Sequence, residues 1–190
     1  MVLAVIVGYL LGAIPVALLV ARRYGVDLFR TADGNPGAWN ALEQLGARRA
    51  WPAFIGDALK ALLAGLFGRW IGDWWTAYAG VAAAMAGHAF PVWTGFRGGK
   101  AVMAFVGGAF ALSPAPAAIC LALCVAVSLL VAFTWGARLG VFAFPVLQLI
   151  TDPVEHVIGT GGLMTLIGAL FLLRRRPVRA SGAAGAAPTT

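Results

Sequence analysis

Gly87-His88-Ala89-Phe90-Pro91-Val92-Trp93-Thr94-Gly95-Phe96-Arg97-Gly98-Gly99-Lys100 lies at the junction of two apolar runs, 74–93 and 101–113. It sets one His, two cations and four glycines at the edge of sequence that is otherwise fit for hydrocarbon. Backbone N–H groups freed by glycine, flanked by Arg97 and Lys100, suit a phosphate. The same stretch decides the fold, because it is a polar connection between membrane-length helices.

The rest of the chain agrees. Of 190 residues, 61% are hydrophobic and 11% charged, with a mean hydropathy of +0.88. A soluble domain carries about 25% charged residues, so lipid is the solvent for most of this chain. The net charge of +7 does not indicate nucleic acid. Its cations fall in short loops between apolar runs, with no basic amphipathic helix or aromatic-basic platform. Cys120 and Cys124 sit four apart in an apolar run without a His or acidic neighbour, and read as small helix fillers. Residues 1–21 are apolar, but the charges Arg22 and Arg23 follow the run rather than precede it. That order predicts a retained first span and not a cleaved signal peptide.

A spanning helix needs roughly 20 mostly apolar residues. The candidates are 2–21, 51–71, 74–93, 115–135 and 154–173, with two shorter pieces at 101–113 and 139–151. The expectation is an all-α, polytopic membrane protein of about seven transmembrane helices, two of them short, forming one integral-membrane domain over 1–176. Residues 177–190, rich in Ala, Gly, Pro and Thr, are expected to be a disordered cytoplasmic tail. Every cation except Lys60 and Arg69 falls on one side of the seven-helix arrangement. The positive-inside rule then places the N-terminus outside and the C-terminus in the cytoplasm. Arg174-Arg175-Arg176 reads as a topology anchor. The spacings Gly8–Gly12, Gly136–Gly140 and Gly161–Gly168 would allow close helix contacts.

Asp57 and Lys60 are three apart on one helix face. They suit either a self-neutralising ion pair or the support of a cytoplasmic site, with Lys60 reaching an anion. His88 reads either as a helix-end hydrogen bonder or as support behind the anion site. Gly98-Gly99 just before a helix start directs N–H groups toward an anion, with the helix dipole adding to them. A second polar cluster, 30–46, carries Asp33-Gly34-Asn35-Pro36-Gly37-Ala38-Trp39-Asn40 on the same side. His88 and His156 fall on opposite sides, so no metal site is expected.

Three blocks, Gly34-Asn35-x-Gly37-Ala38-x-Asn40, Asp57-x-x-Lys60 and Gly87-His88-x-Phe90-Pro91 through Phe96-Arg97-Gly98-Gly99-Lys100, occur in an order and spacing that resembles a known family. Together with Gly12-x-Ile14-Pro15 and Ala21-Arg22, they are similar to the bacterial acyl-phosphate:glycerol-3-phosphate acyltransferases (the PlsY type) over roughly residues 8–140. The resemblance implies a seven-helix protein of the bacterial inner membrane, its site facing the cytoplasm. It also implies acyl transfer from acyl phosphate to the 1-hydroxyl of glycerol 3-phosphate, or to a related polyol, in phospholipid synthesis. Neither a cofactor nor acyl-CoA takes part in such a reaction, and the His-x-x-x-x-Asp signature of CoA-dependent acyltransferases does not occur here. Membrane lipid is the other expected partner. On this reading Asp33, Asn35, His88 and Lys100 are catalytic, with Asp33 as a base toward the acceptor hydroxyl. Gly34, Gly37, Asn40, Lys60, Arg97, Gly98, Gly99 and Arg138 bind substrate phosphate, and Asp57 supports them.

The chain departs from the family pattern at several polar positions. Asp33 stands for a Ser, Trp39 for a Thr, Glu43 for an Arg, Ala101 for a Gly, and Arg138 for a Ser in a looser alignment. A C-terminal His and Asn have no counterpart in 174–182. A compensating Asp33–Arg138 pair is one expectation from these changes. A non-catalytic relative that binds phosphate or lipid headgroups, or acts as a membrane partner subunit, is the second reading. A transporter is the third, disfavoured because both short segments fall in the second half. Acyl length and oligomeric state carry no signature in the sequence.

Overall fold

The computed structural model describes residues 1–173, and all regular elements among them are helical. Arg174, Arg175, Arg176, Arg179 and the expected tail lie outside the described residues. The helices are α1 (Val2–Ala13), α2 (Val16–Arg23), α3 (Ala38–Leu45), α4 (Ala47–Ile71), α5 (Trp74–Ala89), α6 (Val102–Leu112), α7 (Pro114–Leu130), α8 (Phe133–Thr151) and α9 (Val154–Leu173). Short 3-10 turns occupy Leu28–Arg30 and Val92–Thr94.

The first apolar run is one membrane-length segment broken in the middle. Pro15 lacks an N–H and disfavours helical geometry in the residue before it. Ile14 accordingly turns extended (φ −61°, ψ 116°) and α2 restarts at Val16. The break exposes the Ile14 carbonyl to the protein interior, where it is used.

The core is built around α5, which packs against α1, α4, α6 and α9. Its buried face is largely alanine and glycine, so backbones approach closely. A Cβ on Gly8 would fall on the Gly80 carbonyl, and one on Gly12 on the Ala84 carbonyl. The Gly136 and Gly140 contacts likewise hold, against Cys120, Cys124 and Ser128 of α7. Gly161 and Gly168 face open space, so the expected close contact is absent there. The outer surface is apolar, with Trp70, Leu129, Leu130 and Ile150 among its most exposed side chains.

Four segments are long and apolar enough to cross a membrane: Val2–Arg23, Ala47–Ile71, Phe133–Thr151 and Val154–Leu173. Helix α6 is short, as expected, and sheltered between α4 and α5. The expected short piece at 139–151 is instead the end of the 19-residue α8. The expected break falls at 136–138, whereas the chain turns at Val131-Ala132. Gly136 is taken up by packing against α7, leaving the turn to residues with no turn signal. Far from the 87–100 segment, Tyr78 Oη donates to the His156 carbonyl (2.8 Å) and Gln148 Nε2 to Ser113 Oγ (2.7 Å). These bonds tie α5 to α9 and α8 to the α6–α7 corner.

Candidate functional site

A buried ionic cluster forms the floor. Lys60 Nζ lies 2.8 Å from Asp57 Oδ1, 3.0 Å from the Ile14 carbonyl and 2.8 Å from His88 Nδ1. Asp57 and Lys60 are 1% and 4% exposed. An ammonium has three protons and no acceptor capacity; it is hydrogen-bonded to the Ile14 carbonyl and His88 Nδ1, and its charge is paired with the Asp57 carboxylate. Lys60 is therefore committed within the protein, and the ion-pair reading is favoured over direct phosphate binding by it. His88 Nδ1 also lies 3.4 Å from Asp57 Oδ1, so it accepts from Lys60 or donates to Asp57 according to the tautomer of the ring.

The 87–100 turn closes over this floor. Tyr9 Oη donates to the Phe90 carbonyl (2.8 Å), and Thr94 Oγ1 to the Arg97 carbonyl (2.8 Å). The Gly99 N–H donates to the His88 carbonyl at 3.1 Å. A Cβ on Gly98 would collide with the His88 carbonyl, and one on Gly99 with His88 Nε2. These glycines are required because the turn lies directly on His88. The Gly99 amide, expected among the anion's donors, is thus used within the turn. Arg97 is exposed, its guanidinium 4.4 Å above the Phe29 ring.

The facing wall is the 31–40 segment. Asp33 Oδ1 accepts from the Asn35 amide (3.0 Å), and Oδ2 pairs with Lys100 Nζ (3.0 Å). Partial burial is the largest single influence on Asp33 and pushes its carboxyl up. The Lys100 hydrogen bond, the Asn35 amide and the Lys100 charge together outweigh it and hold the group below its usual range. Asn40 Nδ2 lies 3.0 Å from the Leu28 and Asn35 carbonyls and 3.3 Å from that of Thr31. Thr31 Oγ1 donates to Asn40 Oδ1 (3.2 Å). The Asn40 amide is thus spent on holding the loop, which corrects its expected place among the substrate donors. Gly34 has φ +69°, the left-handed geometry the loop needs. Gly37 precedes α3 as its N-cap.

One cleft joins these parts. Pro36, Asp57, Lys60, His88, Arg97, Gly98 and Gly99 line it, with the Ile14-Pro15 break. Asp33 and Lys100 bridge the two segments beside it. The expected Asp33–Arg138 pair is replaced by Asp33–Lys100, and Arg138 lies 5.1 Å over the Trp135 ring on an exposed part of α8. Two other departures accommodate one another: Trp39 Nε1 donates to Glu43 Oε1 (2.7 Å), and the Trp39 ring stacks on Phe133 at 4.7 Å. The sequence reading missed Ile14 and Thr94 as site residues. Pro15 was the available signal for the first; Thr94 carried none. No group of three or more His, Cys, Asp or Glu with metal-site geometry occurs among the described residues.

A polytopic helical membrane protein with a charged cleft under a glycine–cation turn is the class that fold and site define. The family model for glycerol-3-phosphate acyltransferase matches residues 2–179. The chain belongs to that family. A glycerol-3-phosphate acyltransferase from Geobacter sulfurreducens is 35% identical over 173 residues, covering 90% of this chain and 87% of that protein. One from Rubrobacter xylanophilus is 40% identical over 114 residues, or 60% of this chain. The chain spans 57% of that relative's length. Two crystal structures of PlsY (YgiH), an integral membrane glycerol 3-phosphate acyltransferase, share the fold. Its glycerol 3-phosphate form has a TM-score of 0.79 at 28% identity, covering 91% of this chain and 86% of that one. Its lysophosphatidic acid form has a TM-score of 0.77 at 28% identity, covering 92% and 87%.

Proposed function

We propose that the chain is a membrane acyltransferase that moves a fatty acyl group from acyl phosphate to a hydroxyl of glycerol 3-phosphate or a related polyol. The Arg97–Lys100 turn seated on His88, facing the 31–40 loop across one cleft, is the observation that carries this reading. Acyl phosphate is a mixed anhydride and is already activated. The protein has to gather the reactants, orient the hydroxyl and stabilise the charge that develops. In the step, the acceptor oxygen bonds to the acyl carbon and the acyl C–O bond to phosphate breaks. The hydroxyl proton passes to Asp33 and then to the departing phosphate. Arg97 and Lys100 are the cations for phosphate, and the His88 ring and the Asn35 side chain are polar groups for the carbonyl oxygen. Lys60 and Asp57 fix the His88 ring from below.

The reading takes seven spans, a cleft at the cytoplasmic face of the bacterial inner membrane, and the N-terminus outside. The cation distribution supports that orientation. Purified protein given palmitoyl phosphate and glycerol 3-phosphate, or a polyol panel, should yield acylated acceptor and free phosphate. Lys100→Ala should abolish most of it. Persistence of the acyl phosphate with every acceptor would overturn the reading. The Lys100–Asp33 pair, which neutralises a cation meant for substrate, also favours a second reading as a non-catalytic phosphate- or headgroup-binding relative. Turnover above the Lys100→Ala control removes that one.

A further inference from the structure

Gly95 and Phe96 are consecutive residues in left-handed geometry, at φ +63° and +62°. Glycine adopts it freely, whereas a residue with a Cβ does not. Phe96 is also 59% exposed, so packing of its ring does not hold the backbone there. Hydrogen bonds take that task. The Pro91 carbonyl accepts from the Phe96 amide (3.0 Å) and the Thr94 amide (3.2 Å), which occupies both of its lone pairs. Thr94 Oγ1 lies 3.2 Å from that carbonyl and 2.8 Å from the Arg97 carbonyl. A hydroxyl has one proton to give, and the nearer Arg97 oxygen takes it.

That bond spans the left-handed pair, tying the residue before it to the residue after it. The Arg97 carbonyl shares a rigid peptide plane with the Gly98 nitrogen, so holding the carbonyl orients the whole Arg97–Gly98 unit. Thr94 lines the same cleft as Arg97, Gly98 and Gly99. We propose that Thr94 is a positioning residue: its hydroxyl clamps the Arg97 carbonyl, so that the Arg97 turn meets a substrate phosphate already in its bound shape. The inference rests on the acyl-transfer reading and adds to it a side chain that touches no reacting atom. An unclamped turn would have to be ordered at each binding event, and that ordering weakens substrate binding. A clamp that served the fold alone would lower the thermal midpoint and leave substrate affinity as it was.

The test uses the full chain in detergent, with palmitoyl phosphate and glycerol 3-phosphate each varied against a saturating level of the other. Thr94→Val keeps the branched shape and removes the hydroxyl; Thr94→Ser keeps the hydroxyl. Thr94→Val should raise KM for at least one substrate about fivefold, the equivalent of one hydrogen bond at about 1 kcal/mol, with kcat held within about twofold. The substrate whose KM rises is the one whose phosphate the turn receives. Thr94→Ser should restore the wild-type KM. Unchanged KM for both substrates in Thr94→Val, whatever its thermal midpoint, overturns the proposal, as does a Thr94→Ser variant as impaired as Thr94→Val. A parallel titration with inorganic phosphate, read as protection from thermal unfolding, separates this inference from the reading beneath it. If no acyl transfer occurs at all, the acyl-transfer reading fails. The clamp still stands if Thr94→Val needs about fivefold more phosphate than wild type and Thr94→Ser does not; equal responses of all three proteins overturn it as well.

Discussion

Lys60→Met is the perturbation that most directly probes the floor of the site. Methionine keeps the length and apolar volume of lysine but removes its three donors. Asp57, 1% exposed, would then lose its closest cation, and both of its carboxylate oxygens are buried without a hydrogen-bond partner among the described residues. Breaking a buried pair from one side costs about 3–5 kcal/mol. The cost has a ceiling, because the stranded carboxylate can be neutralised instead. Placing a proton on a carboxyl whose solution value is about 3.9 costs about 4 kcal/mol at pH 7 and about 1.5 kcal/mol at pH 5. The variant should therefore lose about 4 kcal/mol at pH 7 and distinctly less at pH 5.

For a chain of this size that loss is a fall of roughly 8–16 °C in thermal midpoint, readable by fluorescence-detected size exclusion in detergent. The matched double variant, Asp57→Leu with Lys60→Met, removes both charges and should recover most of it, since apolar replacement of a whole buried pair is often neutral or better. Additive losses in the double variant, or a single-variant loss below about 1 kcal/mol at pH 7, would refute the coupling. The pH arm keeps the result specific. A packing defect from Met would not shrink on acidification.

Other consequences concern the walls. Ala101 sits at φ +60°, so Ala101→Gly should stabilise the protein by about 1 kcal/mol, measured as a higher thermal midpoint. Trp39→Ala loses the Phe133 stack and the Glu43 hydrogen bond and should cost about 1–2 kcal/mol in the same assay. Asp33 is held below its ordinary value of 3.8 chiefly through Lys100, against the opposing pull of partial burial. Its contribution is present above the unfolded value and is lost as pH falls through the lower folded value. Because Asp33 is 49% exposed, Asp33→Asn should cost under about 1 kcal/mol at pH 7, and the gap in thermal midpoint should close in strong acid.

The membrane class was legible because apolar runs of bilayer length need no tertiary information. The helix boundaries inside 115–151 were not. Leu129-Leu130-Val131-Ala132-Phe133 has no glycine, proline or charge, yet the chain turns there, while the conspicuous Gly136 is consumed by the α7 contact. Local punctuation misled because packing decided the turn. In the site, the Asp57–Lys60 spacing predicted a shared face correctly. The third member, His88, joins across 28 positions, and no local pattern encodes such a meeting. Asn40 shows the opposite case: it sits within a motif that suggests ligand binding, yet its amide serves carbonyls of its own loop.

These features divide the site into two tiers with different freedom to change. The lower tier is closed: the break at Pro15 turns out the Ile14 carbonyl, and that carbonyl supplies the third partner Lys60 needs. Without the break, a buried ammonium would have one proton unsatisfied, at a cost of about 1–3 kcal/mol. The proline, the Asp57–Lys60 spacing and His88 are thus one physical unit, and altering one member strands the others. The upper tier is half exposed, where a charge change costs under about 1 kcal/mol in stability. An acidic residue at Asp33 is tolerable there for that reason. The upper wall can therefore change while the floor and fold remain fixed, and Asp33 is where such a change meets Lys100.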